Sequence, residues 1–252
     1  MKARLHSIIG IAGLAVLAAS TAAIAGQETG AGQATMTQTQ GRSVTAINTL
    51  LEPDATMIEH ATADNARLLK NFPKGYTLGG IHAPHVSMLQ RYVYTDQLDN
   101  LYAAVDKVFA EEDPASWKLK AFKYYYIPSG PLGLGGIVIE PTPDLLRLQQ
   151  KLIDAEAPFE APNGTAAAFV TTPEDPDIVA PLIEYVRVFV PEHSGTHFSP
   201  HVTIGLGTRE FLDAMLAEPF ATFTFSPVGA SVYHLGNYGT AMKKLHVIPV
   251  KH

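Results

Sequence analysis

The chain of 252 residues contains no cysteine. A thiolate nucleophile, a disulfide framework and a lipid-modified N-terminal cysteine are therefore all excluded. A chain without disulfides depends on its hydrophobic core for stability, and 46% of the residues are hydrophobic. We therefore expect residues 49–252 to form one domain of two lobes with a substantial core.

An excess of positive charge is also missing. The 18 Lys and Arg residues stand against 24 Asp and Glu residues, which gives a formal net charge of −6. Binding to long nucleic acid depends on many contacts between basic side chains and phosphates. The charge therefore argues against long nucleic acid as a partner and favours a small phosphodiester or nucleotide, or at most a short RNA end.

Long hydrophobic runs are scarce, and the one that stands out lies near the N-terminus. Lys2 and Arg4 precede an apolar run over residues 8–18, and residues 23–25 supply the small side chains of a cleavage site. We expect residues 1–25 to be a signal peptide and the protein to be exported, either to the periplasm or outside the cell. The run is too short for a membrane span, so no stable membrane insertion is expected. The Gly-, Gln- and Thr-rich residues 26–48 predict a flexible tether.

Two five-residue segments repeat nearly the same pattern: Pro84-His85-Val86-Ser87-Met88 and Pro200-His201-Val202-Thr203-Ile204. On a strand, side chains at positions i and i+2 point to the same face. Each segment would therefore place an imidazole beside a hydroxyl, with its apolar residues toward the core. Two such strands facing each other would surround one cleft with two titratable groups and two hydrogen-bond donors. That arrangement is typical of acid–base catalysis on an oxyanion.

The residues around the motifs predict a repeated order of elements. Motif strands are expected near residues 82–94 and 200–206, each followed by an amphipathic helix and a pair of strands. The order therefore occurs twice, from about 82 to 140 and from 200 to 250. In the first repeat, the glycine-rich residues 129–135 are expected to form the loop between the paired strands. The repeat predicts an α+β, two-lobed, pseudo-twofold fold, with antiparallel sheets lining a central groove and helices outside.

At the two motifs the chain resembles the two-histidine phosphoesterase superfamily, in which each of two lobes carries one His-apolar-Ser/Thr-apolar motif. It resembles most the branch of 2′-5′ RNA ligase-like and cyclic phosphodiesterase proteins, and residues 236–241 are similar to a loop and final strand of that branch. The resemblance implies metal-independent cleavage of a 2′,3′-cyclic nucleotide or a short RNA end, without a cofactor. It implies that His85 and His201 are the general acid and base, and that Ser87 and Thr203 hydrogen-bond the phosphate oxygens.

Other residues leave further interpretations open. Tyr92 and Tyr238 could stack on a nucleobase and so bind substrate. The additional imidazoles of His82, His193 and His197 could make the protein a metal-dependent phosphoesterase. A third interpretation is a non-catalytic protein that binds a nucleotide-like ligand in the same groove. The two intact motifs argue against it, because a binding protein has no need for two proton-transfer groups.

Overall fold

The computed structural model describes residues 41–173 and 175–250. The predicted signal peptide and the first part of the predicted tether lie outside these residues. Within the described part of the chain, no helix is both long and apolar enough to cross a membrane. The strands are β1 (Val44–Pro53), β2 (Val86–Tyr94), β3 (Leu119–Ser129), β4 (Leu132–Ile139), β5 (His201–Thr208), β6 (Phe223–Phe225), β7 (Pro227–Leu235) and β8 (Ala241–Ile248). The helices are α1 (Ala55–Asn71), α2 (Leu98–Phe109), α3 (Pro143–Glu156), α4 (Ala180–Arg187), α5 (Phe189–His193) and α6 (Arg209–Ala217).

Side-chain caps set the starts of three helices. Asp54, Thr142 and Thr208 each accept a hydrogen bond from the backbone N–H three residues further on, at the start of α1, α3 and α6. The helices then bury one face each, at spacings of three and four residues. The buried faces of α1 and α3 are not purely apolar, since they include the amides of Asn65 and Gln149.

The strands form two four-stranded antiparallel sheets, in the orders β2-β1-β7-β8 and β5-β4-β3-β6. Each motif strand, β2 or β5, is the edge strand of its sheet. Helix α1 packs against β5, and α3 packs against β2. The predicted α+β, two-lobed, pseudo-twofold fold is therefore confirmed.

The lobes are not, however, the two contiguous repeats of the sequence. Strands β3 and β4 follow β2 in the chain but belong to the sheet of β5. Strands β7 and β8 follow β5 but belong to the sheet of β2. The physical reason is β1, which pairs with both β2 and β7 and so occupies the inner edge of β2. The strand pair that follows each motif in the chain therefore joins the sheet of the other motif.

Strand β1 also corrects the predicted boundary of the tether, because it begins at Val44 rather than after residue 48. Nearly all of its residues are buried, since it lies in the middle of a sheet. A strand covered on both faces does not alternate between apolar and exposed residues. The period of two that identifies a half-buried strand is therefore absent from this segment.

The glycine-rich residues 129–135 were predicted to be a loop, and this prediction is wrong. Ser129 pairs with Leu132, so the turn contains only two residues, and β4 continues through the remaining glycines. A Cβ atom at Gly133 would lie 2.6 Å from the ring of Tyr126. Gly133 therefore lies in a strand, where the lack of a side chain lets the ring of Tyr126 pack closely against it, and this glycine does not indicate a loop.

Candidate active site

Each motif strand contains a β-bulge at the fifth residue of its motif. The pairing register shifts by one residue at Met88 in β2 and at Ile204 in β5. A bulge bends its strand and changes the direction of the neighbouring side chains. The two motifs therefore share a backbone irregularity, and not only a residue pattern.

A buried amide from a helix holds each bulge in place. The Nε2 atom of Gln149, on α3, donates to the carbonyl oxygen of Met88 over 3.0 Å. The Nδ2 atom of Asn65, on α1, donates to the carbonyl oxygen of Ile204 over 2.8 Å. Sequence reasoning missed both residues. Their signal is a polar side chain within the apolar face of an amphipathic helix, since a buried amide needs partners.

The oxygen of each amide accepts a hydrogen bond from the segment that precedes the other motif. The Oε1 atom of Gln149 accepts from the N–H of Gly195, which precedes the second motif, over 2.9 Å. The Oδ1 atom of Asn65 accepts from the N–H of Leu78, which precedes the first motif, over 3.0 Å. Each amide therefore ties the bulge of one motif to the approach to the other.

The four predicted motif side chains, His85, Ser87, His201 and Thr203, line one cavity of about 340 Å³. This volume is in the range of small-molecule sites. Gln90 and Tyr238 line the same cavity. Among the described residues that line it, none is Lys or Arg, so the imidazoles are the groups that can supply positive charge there.

The two imidazoles are oriented in the same way. The Nδ1 atom of His85 lies 2.7 Å from the carbonyl oxygen of Ala83, and that of His201 lies 2.8 Å from the carbonyl oxygen of Ser199. A carbonyl oxygen only accepts hydrogen bonds, so each Nδ1 carries its proton. In the neutral ring, Nε2 then holds the lone pair that can act as a base.

Burial lowers the pKa of both imidazoles. The pKa of His85 lies below its ordinary value, because desolvation disfavours the charged ring. Desolvation likewise lowers the pKa of His201 to about 4, and the nearby His85 and His193 contribute smaller effects in the same direction. Both rings are therefore neutral at pH 7 in the ligand-free protein, and an anion between them would favour protonation.

The hydroxyl of Ser87 is positioned as a hydrogen-bond donor. Its Oγ atom accepts from Asn48 Nδ2 over 2.7 Å and from Gln90 Nε2 over 3.3 Å. A hydroxyl has two acceptor lone pairs and one donor. With both lone pairs occupied, its remaining capacity is to donate into the cavity. Sequence reasoning missed Asn48 and Gln90, because Asn48 belongs to β1 and neither residue is part of a motif.

The two predicted substrate-binding tyrosines lie in different surroundings. Tyr238 lines the cavity and has a φ of 55°, in the left-handed region that few side chains adopt. Tyr92 does not line the cavity and is only 2% exposed. Its hydroxyl donates to the carbonyl oxygen of Ile183 over 2.9 Å, and its ring packs edge-on against Phe169. The prediction that Tyr92 binds substrate is therefore wrong, because its side chain is part of a core cluster.

The additional histidines have aromatic neighbours. The ring of His82 stacks on that of Tyr76 with centroids 4.6 Å apart, and the ring of His193 stacks on that of Tyr185 at 4.3 Å. Across the described ranges, no group of three or more His, Asp or Glu side chains is arranged to hold a metal ion. The imidazoles that suggested a metal site are therefore not gathered into a ligand set.

Comparison with known proteins gives only distant likenesses. No family model matches the chain, and no curated protein matches it. Among solved structures, TT0787 of Thermus thermophilus is 14% identical with a TM-score of 0.46, and the match covers 82% of this chain and 100% of that one. LigT of E. coli in complex with 3′-AMP is 12% identical with a TM-score of 0.43, covering 83% of this chain and 100% of that one. Similarity at this level does not identify a function for this chain.

Proposed function

We propose that this protein is a metal-independent phosphodiesterase that hydrolyses a small phosphodiester, a 2′,3′-cyclic nucleotide or a short RNA end, by paired-histidine acid–base catalysis. One observation carries the proposal. Two pseudo-equivalent pairs, His85 with Ser87 and His201 with Thr203, line a single cavity. The resemblance of the motifs to the two-histidine phosphoesterases supports the same interpretation.

The charge of the cavity favours a diester over a monoester. A phosphodiester carries one negative charge, whereas a phosphomonoester carries about 1.5 to 2 near neutral pH. Among the described residues of the cavity, the imidazoles are the only side chains that become cationic on protonation near neutral pH. One protonated imidazole balances a diester, while the second stays neutral and can act as a base.

The proposed reaction uses both protonation states. The neutral imidazole takes a proton on Nε2 from a water molecule, whose oxygen forms a bond to phosphorus. The bond between phosphorus and one ester oxygen breaks, and the protonated imidazole donates its Nε2 proton to that oxygen. Ser87 and Thr203 donate hydrogen bonds to the non-bridging oxygens, where negative charge develops. The products are a phosphomonoester and a hydroxyl group, which remain on one molecule when the substrate is cyclic.

Two parts of the proposal rest on other observations. Metal independence is proposed because the two imidazoles supply both proton transfers and Ser87 has a hydroxyl free to donate to the phosphate. Export to the periplasm or out of the cell is proposed from the signal-like pattern of residues 1–25. The substrate would then be met outside the cytoplasm.

The test is turnover of a panel of 2′,3′-cyclic nucleotides and short diesters in the presence of a chelator. We expect His85→Ala and His201→Ala each to lower kcat by about 10² to 10⁴, the usual contribution of an acid or base. The matched control is His60→Ala, since His60 stacks on Phe223 and does not line the cavity. We expect the control to retain wild-type activity.

Two results would contradict the proposal. If the wild-type protein binds nucleotides and hydrolyses no diester of the panel, the proposed substrates are wrong, and the groove either only binds its ligand or acts on another phosphodiester. If activity is lost in chelator and restored by a divalent metal, it is a metal-dependent phosphoesterase.

A further inference from the structure

A second cavity adjoins the first at the motif residues. It has a volume of about 210 Å³ and shares Ser87 and His201 with the first cavity. A phosphate group held by these two side chains would lie where the cavities meet. The walls of the second cavity are mainly aromatic, and include the rings of Tyr125, Tyr185, Phe189, His193 and His197.

The aromatic rings that line this cavity pack on one another and form a continuous aromatic wall. His193 stacks on Tyr185 with centroids 4.3 Å apart, and Phe189 meets Tyr185 edge-on at 5.6 Å. Such surfaces suit a planar ring, which can stack on one wall and meet another with its edge. The volume is below the roughly 300 to 1,000 Å³ of sites for drug-sized ligands. The second cavity therefore suits one ring-sized group and not a second complete nucleotide.

We propose that the second cavity binds the second organic group of a linear phosphodiester, and that this group is a planar aromatic ring. The proposal rests on the proposed function, since it takes the phosphate to lie at the motif residues. A 2′,3′-cyclic nucleotide carries both ester oxygens on one ribose and has only one organic group, which would fill one cavity. A linear diester has a group on each ester oxygen, so it fills both.

The test measures binding and not turnover. The ligands are phosphinates in which methylene groups replace both ester oxygens, so that they keep one negative charge and are not hydrolysed. Each carries the same nucleoside on one side and a methyl, cyclohexylmethyl or benzyl group on the other. By calorimetry, we expect the benzyl compound to bind the wild-type protein about tenfold more tightly than the methyl compound, within the range of ring stacking. We expect the cyclohexylmethyl compound to bind less tightly than the benzyl compound, because its ring has no flat face.

Two variants change the second cavity, and a third is the control. His193→Ala removes a stacked ring, and Ser199→Trp fills the cavity, in which Ser199 is a lining residue. We expect each to reduce the tenfold preference for benzyl over methyl to less than twofold. In the control, His246→Ala removes an imidazole that stacks on Tyr102 at 4.7 Å and lines neither cavity. The preference should persist there.

Several outcomes would overturn the proposal. Equal dissociation constants for the benzyl and methyl compounds in the wild-type protein would show that the cavity is not used. A preference that survives both cavity variants would place the ring elsewhere, and equal binding of cyclohexylmethyl and benzyl would remove the requirement for planarity. Failure of the phosphodiesterase assay is a separate result, because a protein that binds without turnover would still show the preference.

Discussion

Replacing Gln149 by leucine tests whether the buried amides hold the motif strands. Gln149 is 1% exposed, donates to the carbonyl of Met88 and accepts from the N–H of Gly195. Leucine has a similar size and can make neither hydrogen bond. Each buried polar group that loses its partner costs about 1 to 3 kcal/mol, so the two together cost about 2 to 6 kcal/mol.

The matched control is Gln150→Leu at the next position of the same helix. Gln150 is exposed, and its side chain donates only to Asp154. A surface substitution of this kind changes the free energy of unfolding by at most about 0.5 kcal/mol. We expect urea denaturation to show a lower midpoint for Gln149→Leu, with the slope unchanged, and almost no shift for Gln150→Leu.

The same substitution should lower activity, because Gln149 supports the bulge beside Ser87 and the approach to the second motif. A misplacement of about 1 Å can cost about 10² in rate. We therefore expect kcat to fall more than the affinity for substrate. If Gln149→Leu destabilises the protein no more than Gln150→Leu, the amide does not hold the bulge and the reasoning fails.

Two further predictions concern the pH dependence set by His85 and His201 and the role of Tyr92. Burial lowers the pKa of His85, and lowers that of His201 to about 4. The reaction needs one of the two rings protonated. We therefore expect kcat/KM to rise as the pH falls below neutrality and to peak below pH 6.5. A bound anionic substrate favours protonation of the imidazoles, so the maximum of kcat should lie at a higher pH than the maximum of kcat/KM. A kcat/KM maximum above pH 7 would contradict the assignment of the two histidines as acid and base. Tyr92→Phe removes the hydrogen bond to Ile183 and should cost about 1 kcal/mol of unfolding free energy with kcat/KM unchanged. Weaker substrate binding at unchanged stability would instead show that the Tyr92 hydroxyl acts on the substrate and not on Ile183.

The parts of the fold that follow from local patterns could be predicted from the sequence. The motif strands show the pattern of i and i+2 side chains, and α3 places leucines on one face, so both could be recognised without knowing their partners. The position of β1 could not, because a central strand lacks the alternation that marks a half-buried strand. The exchange of strand pairs between the lobes depends on β1. Because β1 was not predicted, the exchange was not predicted either.

The candidate site divides in the same way. The histidines and hydroxyls of the motifs could be identified because they lie within five residues of each other in a repeated frame. Asn48, which donates to Ser87, comes from a strand that is distant in sequence. Tyr92 was misassigned because its surroundings include Phe169 and Ile183, which the sequence alone does not place beside it.

The exchange of strands has a consequence for how the site is assembled. The sheet that contains β2 needs β7 and β8 from the end of the chain, and the sheet that contains β5 needs β3 and β4 from the middle. The amides of Asn65 and Gln149 repeat this crossing, since each binds the bulge of one motif and the approach to the other. Neither motif can therefore acquire its full set of contacts from its own half of the sequence. The relative position of the two imidazoles is set by the complete two-lobed domain, and a disturbance of either amide is expected to reach both motifs.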